Sequence, residues 1–273
     1  MPIHRMRLRE LTIIQYQNVS KNPETYRLWL STDSFQKQIE YLTANSFQFL
    51  SMDDAILYMK RKKRVENGRP ISITFDNGYQ EFYENVFPIL TQKQYPATIL
   101  VCPSKVGRSA TVGTTKVDYL SWSTLKELRR NGIIIGAYED TAWNINDIPG
   151  NVVRAHIVEY KKILEDKLGE EIRYFGVKEG VPDIAIRDLL VAEGYHAFLT
   201  ECPTHTKPDL YAVGRIQVDD DDFNIFLTKV SRTYLFFKDK KSWRYIREYS
   251  LDKLAHKISE TYDKITSLRS LIL

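Results

Sequence analysis

In folds built from parallel strands and helices, reactive side chains gather where strands end. The run Ile71 to Phe75 is followed by Asp76, Asn77 and Gly78, and the run Ile133 to Tyr138 by Glu139 and Asp140. Leu11 to Tyr16 is followed by Gln17, and Ala197 to Thr200 by Glu201. Carboxylates converging from such ends either move protons or hold a cation. Asp76, Glu139 and Asp140 together would offer three carboxylates to a hard ion such as Mg²⁺ or Ca²⁺. Neighbours along an extended chain point to opposite sides, however, so at most one of Glu139 and Asp140 shares a pocket with Asp76. Asp76 and Asp140 alone would be a carboxyl pair of the kind used in metal-free glycoside hydrolysis, which needs a separation of roughly 5–10 Å. Tyr138 and Trp143 add aromatic faces on which a sugar ring can stack.

Other reactive residue types are sparse. The five histidines, His4, His156, His196, His205 and His256, show no paired ligand spacing, and each reads as a surface or hydrogen-bonded structural residue. Cys102 and Cys202 are too few for a disulfide framework or a thiolate metal site. Trp29 and Trp122 stand beside helix starts and are expected in the core. The basic run Lys60 to Arg64 reads as a solvated helix end, and the acidic run Asp219 to Asp222 as the opening of a helix.

The elements that position these residues follow from periodicity. Short apolar strands alternate with amphipathic helices from Leu11 to Val218. Strands are expected at Leu11 to Tyr16, Phe47 to Leu50, Ile71 to Phe75, Ala97 to Cys102, Ile133 to Tyr138, near Tyr174 and at Ala197 to Thr200. Helices are expected from Thr32, after Ser51, near 80–93, from Trp122, and over 151–167 and 183–193, with a loop from the strand at Ala97 to about 120. Such βα alternation implies parallel strands covered by helices, and a barrel rather than an open sheet. Past Val218 the strands give out, and helices are expected over 222–236 and 250–271. The second of these carries Leu251, Leu254, Ile258, Ile265, Leu268 and Ile272 largely on one side.

The chain has 273 residues, enough for a sizeable core, and its 39 Lys+Arg against 35 Asp+Glu leave only +4, no signature of a nucleic-acid binder. No apolar run is long enough to span a membrane, and the opening MPIHRMRLRE lacks the apolar core of a secretory leader. The cytoplasm is the expected compartment.

Several segments in order resemble the polysaccharide deacetylases of carbohydrate esterase family 4, the NodB homology group. IIQYQNVS is similar to the opening strand with its Tyr-His-x-Val motif, and ISITFDNGYQEFYENVFPIL to the Thr-Phe-Asp-Asp-Gly-Tyr signature. YLSWSTLKELRRNGIIIGAYEDTAW occupies the place of the segment ending Ile-Gly-Ser-His-x-x-x-His. YFGVKEG stands where the subgroup acting on β-1,6-linked N-acetylglucosamine polymers has Phe-Ala-Tyr-Pro-Tyr-Gly, and GYHAFLT and GRIQV also correspond. The resemblance covers residues 11 to 218. It implies a deformed (β/α) barrel, here over residues 1–218, and the helices expected past it are read from their periodicity as an extension over 219–273 packed on the same domain. It also implies removal of acetyl groups by a divalent metal such as zinc, which polarises the amide carbonyl and activates water beside an aspartate base.

This chain departs from that pattern where the metal would be held. The base position is kept as Asp76, but the ligand positions are Asn77, Tyr138 and Ala142, and the opening-motif histidine is Gln17. A neutral amide, a phenol with an ordinary pKa of roughly 10 and a methyl group make no zinc site. The expectation is a catalytically degenerate barrel that uses no metal cofactor. Its pocket of Gln17, Asn77, Tyr138, Glu139, Asp140, Ala142 and Trp143 would hold an oligosaccharide, a polysaccharide or a partner in envelope metabolism. An N-acetyl-sugar hydrolase with substitute ligands and a protein-interacting scaffold are the alternatives.

Overall fold

The computed structural model describes residues 11–21, 23, 29–66, 68–201, 209–218 and 223–231, and the side chains of 140–143 are outside the description. The chain divides into two compact units, Met1–Asp220 and Asp221–Leu273.

The first unit is a nearly closed barrel of parallel strands. In chain order it contains β1 (Thr12–Tyr16), β2 (Asn18–Ser20), β3 (Trp29–Ser31), α1 (Thr32–Ala44), β4 (Phe47–Phe49) and α2 (Met52–Met59). There follow β5 (Arg69–Phe75), a π-helical turn at Phe82–Val86, α3 (Phe87–Lys93), β6 (Thr98–Val101) and a 3₁₀ turn at Pro103–Lys105. Next come β7 (Ser109–Val112), β8 (Thr115–Asp118), α4 (Trp122–Arg130), β9 (Ile134–Asn144) and α5 (Gly150–Leu168). The unit ends with β10 (Tyr174–Glu179), α6 (Ile184–Ala192), β11 (Ala197–Thr200), β12 (Val213–Gly214) and β13 (Ile216–Gln217). In the second unit, α7 (Phe223–Val230) lies within the helix expected over 222–236. The helix expected over 250–271 lies outside the described residues.

Strand order around the sheet is β12-β11-β10-β9-β6-β5-β1-β13, with β4 added on β5. β12 and β13 are two halves of one extended stretch separated by Arg215. The first half pairs with β11 and the second with β1, so that stretch brings the sheet round on itself. The Arg215 amide still donates to Thr200 O (2.8 Å).

Local chemistry accounts for the helices. Ser31, Ser51, Ser121 and Asp183 accept from amide N–H groups three residues on and start α1, α2, α4 and α6. Gly169, in the left-handed region, ends α5. The apolar side of α2 (Met52, Ala55, Ile56, Met59) packs with Ile13, Leu100, Tyr138, Tyr174, Ala197, Leu199 and Val213 in one buried cluster. The Tyr174 hydroxyl donates to Asp53 on α2. This helix therefore closes the end of the barrel at which the strands begin.

Two glycines make room inside. A Cβ on Gly136 would lie 2.5 Å from a Leu100 methyl and 2.9 Å from Tyr174 O, and one on Gly176 would lie 2.3 Å from the other Leu100 methyl. Leu100 and Tyr138 fill the space these glycines leave.

Beyond the short strands β2, β3, β12 and β13, none of them among the elements expected from sequence, and the π-helical turn inside the helix expected near 80–93, two further differences stand out. The stretch read as a loop before residue 120 contains the β7–β8 hairpin, whose neighbour Tyr119 bridges to Tyr79 and stacks on its ring (centroids 5.2 Å apart). β9 runs on to Asn144, past the expected end at Tyr138, because β10 continues alongside it through Glu179, which pairs with Asn144 across an irregularity. Tyr138, Glu139, Asp140, Ala142 and Trp143 thus all lie within a strand.

Candidate functional site

Alternation along the strands brings together residues far apart in sequence. Gln15 on β1, Thr74 on β5, Asp76 just beyond it, Tyr138 on β9 and Arg215 all point into the barrel toward its carboxyl end. Gln15, Thr74, Asp76, Tyr138 and Arg215 are all at most 2% exposed.

Asp76 is at the centre. Arg215 grips it bidentately: Nη1 donates to Oδ1 (2.5 Å) and Nη2 to Oδ2 (3.0 Å). Gln15 Nε2 donates to Oδ2 (2.8 Å), and the Tyr138 hydroxyl donates to the same carboxylate. These donors use essentially all the lone-pair capacity of a carboxylate. Burial pushes the Asp76 carboxyl above its ordinary range, against the pull of Arg215, Tyr138 and Gln15. Burial also holds the Tyr138 phenol well above its ordinary value, and the Asp76 charge adds to the effect. Tyr138 is therefore a neutral donor.

At the mouth, Gln15 Nε2 also donates to Glu201 Oε1 (2.7 Å), so one amide bridges two carboxyl groups. Burial, reinforced by the charge of Asp76, raises Glu201 from 4.5 to about 6, while Arg215, Gln15 and Lys178 pull the other way. The folded chain thus keeps this proton up to about pH 6, whereas the unfolded chain releases it near 4.5. The resulting stability is fully present below about pH 4.5 and is lost as the pH rises through 6. In urea unfolding at a series of pH values, Glu201→Gln should gain about 1–2 kcal/mol on the parent chain between pH 4.5 and pH 6. A constant difference across that range would show that Glu201 titrates normally.

The remaining residues singled out from sequence are placed as follows. Asn77 follows Asp76 in the left-handed region (φ 70), a conformation asparagine tolerates, and Gly78 adopts φ 74 where a Cβ would meet Val101. Gln17 is buried in the bend between β1 and β2, and the contact to Asp76 is made instead by Gln15. Glu139 faces the outer layer and pairs with His156 on α5, whose ring stacks on Tyr160 (4.7 Å). It is thus turned away from Asp76, as alternation with inward-facing Tyr138 requires. The side chains of Asp140, Ala142 and Trp143 are outside the described residues, and the pairing of Asp140 with Asp76 expected from sequence lies there with them.

Three of the central residues, Gln15, Thr74 and Arg215, are not singled out from sequence, and Gln15 and Arg215 make the decisive contacts. The signals were present: a lone amide inside the β-branched run TIIQY, and a lone guanidinium inside the apolar stretch VGRIQV. Neither could be assigned a partner without the fold.

Divalent transition ions need charged or imidazole donors. The positions that the resemblance assigns to the ligands hold an amide, a neutral buried phenol and a methyl group, and the adjacent carboxylate is taken up by Arg215. This set does not fit such an ion. Among the described residues, no group of three His, Cys, Asp or Glu is placed to hold a metal.

The profile of the polysaccharide deacetylase family matches residues 63–198. The chain belongs to that family. YxkH of Bacillus subtilis strain 168, named for the same family, is 21% identical over 211 residues, which are 77% of this chain and 71% of YxkH. The poly-beta-1,6-N-acetyl-D-glucosamine N-deacetylase of Staphylococcus aureus is 29% identical over 120 residues, covering 44% of this chain and 39% of that enzyme. The match thus spans less than half the length of the staphylococcal relative. Among solved structures, IcaB from Ammonifex degensii superposes with a TM-score of 0.65 at 23% identity, covering 76% of this chain and 91% of IcaB. The Streptococcus pyogenes deacetylase PplD in complex with acetate gives 0.67 at 15% identity, over 82% and 99%. These neighbours share the polysaccharide deacetylase barrel.

Proposed function

We propose that this member of the polysaccharide deacetylase family no longer deacetylates by a metal-dependent route and binds a glycan at the carboxyl end of its barrel. The observation that carries this reading is the buried Asp76–Arg215 pair. A general base must offer a lone pair to the proton it removes, and Asp76 has its oxygens occupied by Arg215, Gln15 and Tyr138. Without an ion or a free donor at the reacting carbonyl, the oxyanion of amide hydrolysis lacks several kcal/mol of stabilisation. The staphylococcal relative is named for a β-1,6-linked N-acetylglucosamine polymer, which makes that polymer the first ligand to try. No described helix is long and apolar enough to cross a membrane.

The test is calorimetric titration with β-1,6-linked N-acetylglucosamine oligosaccharides, with acetate assayed in the same samples with and without added zinc. Saturable binding with no acetate above the uncatalysed level is expected. Acetate release that needs the chain and is lost in Asp76→Asn would instead establish a working hydrolase. Absence of both binding and release would leave a protein-interacting scaffold.

A further inference from the structure

Arg215 carries five N–H donors. Nη1 donates to Asp76 and to Thr74 Oγ1 (3.4 Å), and Nη2 to Asp76 and to Val177 O (3.2 Å). The fifth donor, Nε, is buried and has no hydrogen-bond partner among the described residues. Several other shielded side-chain atoms among the described residues share that condition, and three of them, Gln15 Oε1, Thr98 Oγ1 and Gln217 Nε2, lie on strands of the same sheet.

These three are not scattered. Thr98 is the register partner of Thr74, Thr74 of Gln15, and Gln15 of Gln217. The four residues form one inward-facing row across β6, β5, β1 and β13. Arg215 lies two residues before Gln217, on the same face of the same stretch. The row sits one layer below Asp76, which is two residues beyond Thr74.

The chemistry of the row selects its occupant. The Gln15 amide cannot be turned over, because its Nε2 already donates to two carboxyl groups, so Oε1 must receive a hydrogen bond. A cation would need acceptors throughout, and an anion would need donors throughout. Two N–H donors, one carbonyl acceptor and one hydroxyl are thus left without partners among the described residues along this row and at Arg215. A water accepts two hydrogen bonds and donates two, and buried waters characteristically bond to two to four groups otherwise left unpaired.

We propose that an ordered water occupies the barrel between Arg215, Gln217, Gln15 and Thr98. It accepts from Arg215 Nε and Gln217 Nε2 and donates to Gln15 Oε1 and Thr98 Oγ1. This internal site completes the donor set of Arg215 and holds the guanidinium on Asp76. It is independent of what the mouth of the barrel binds.

A crystal structure of the full chain at about 1.5 Å resolution tests this, with density expected about 2.7–3.2 Å from Arg215 Nε and Gln15 Oε1. Oxygen-17 relaxation dispersion gives a second reading: the double variant Thr98→Val with Gln217→Met should lose one long-lived water relative to the parent. Density showing the Gln217 amide bonded directly to Gln15 Oε1, or no density there, would overturn the proposal. So would an unchanged count of long-lived waters in a folded double variant. If that variant does not fold, the parent crystal structure decides alone.

Discussion

Replacing Arg215 by Met is expected to destabilise the barrel by about 3–5 kcal/mol, the range for removing one partner of a buried ion pair. For a unit of this size that lowers the midpoint of thermal unfolding by roughly 6–20 °C. The cost comes less from lost attraction than from what is left behind. Asp76 would keep its burial and lose the guanidinium that opposes the effect of burial on its carboxyl. Adding Asp76→Asn to Arg215→Met removes the stranded charge, so the double variant should recover a substantial part of the loss. Scanning calorimetry of the parent, both single variants and the double variant closes the cycle. If Arg215→Met alone costs no more than about 1 kcal/mol, the pair does not organise the site.

The second large effect concerns the ion. Converting Asn77→Asp, Tyr138→His and Ala142→His together restores the donor types that the family resemblance assigns to the metal. It also removes the Tyr138 hydroxyl from Asp76, which frees part of that carboxylate. The triple variant should bind zinc with a dissociation constant of about 1 μM or tighter, about −8 kcal/mol of binding free energy. The parent chain should show no stoichiometric binding. Calorimetric titration with zinc measures both. Equal, weak affinity in the two proteins would mean that the backbone around β5 and β9 has also moved away from a geometry that can hold an ion.

How much of this could be read from sequence depends on whether the deciding interaction is local. β1, β5, β6 and β11 are short apolar runs buried on both faces, and that pattern is carried by the residues themselves. The starts of α1, α2, α4 and α6 are local too, since each is set by a Ser or Asp and the amide three residues on. The core of the site is not local. Arg215 and Asp76 are 139 residues apart, and Gln15 and Glu201 are 186 apart. Their meeting depends on the strand order and on the stretch from Val213 to Gln217 changing neighbours at Arg215. Alternation indicated that Glu139 and Asp140 could not both face inward, yet only the packing of α5 shows that Glu139 turns to His156. The length of β9 was likewise hidden, because its continuation to Asn144 is fixed by its pairing with Glu179 on β10.

In the function proposed above, a guanidinium rather than a metal ion neutralises the aspartate at the heart of this barrel. This is tested most directly by anomalous diffraction at the zinc edge from crystals grown with excess zinc. Asp76 is expected to be bound by both terminal nitrogens of Arg215, with no anomalous peak within coordination distance of Asp76, Asn77 or Tyr138. A fully occupied peak bonded to Asp76, with Arg215 displaced from it, would contradict the proposal.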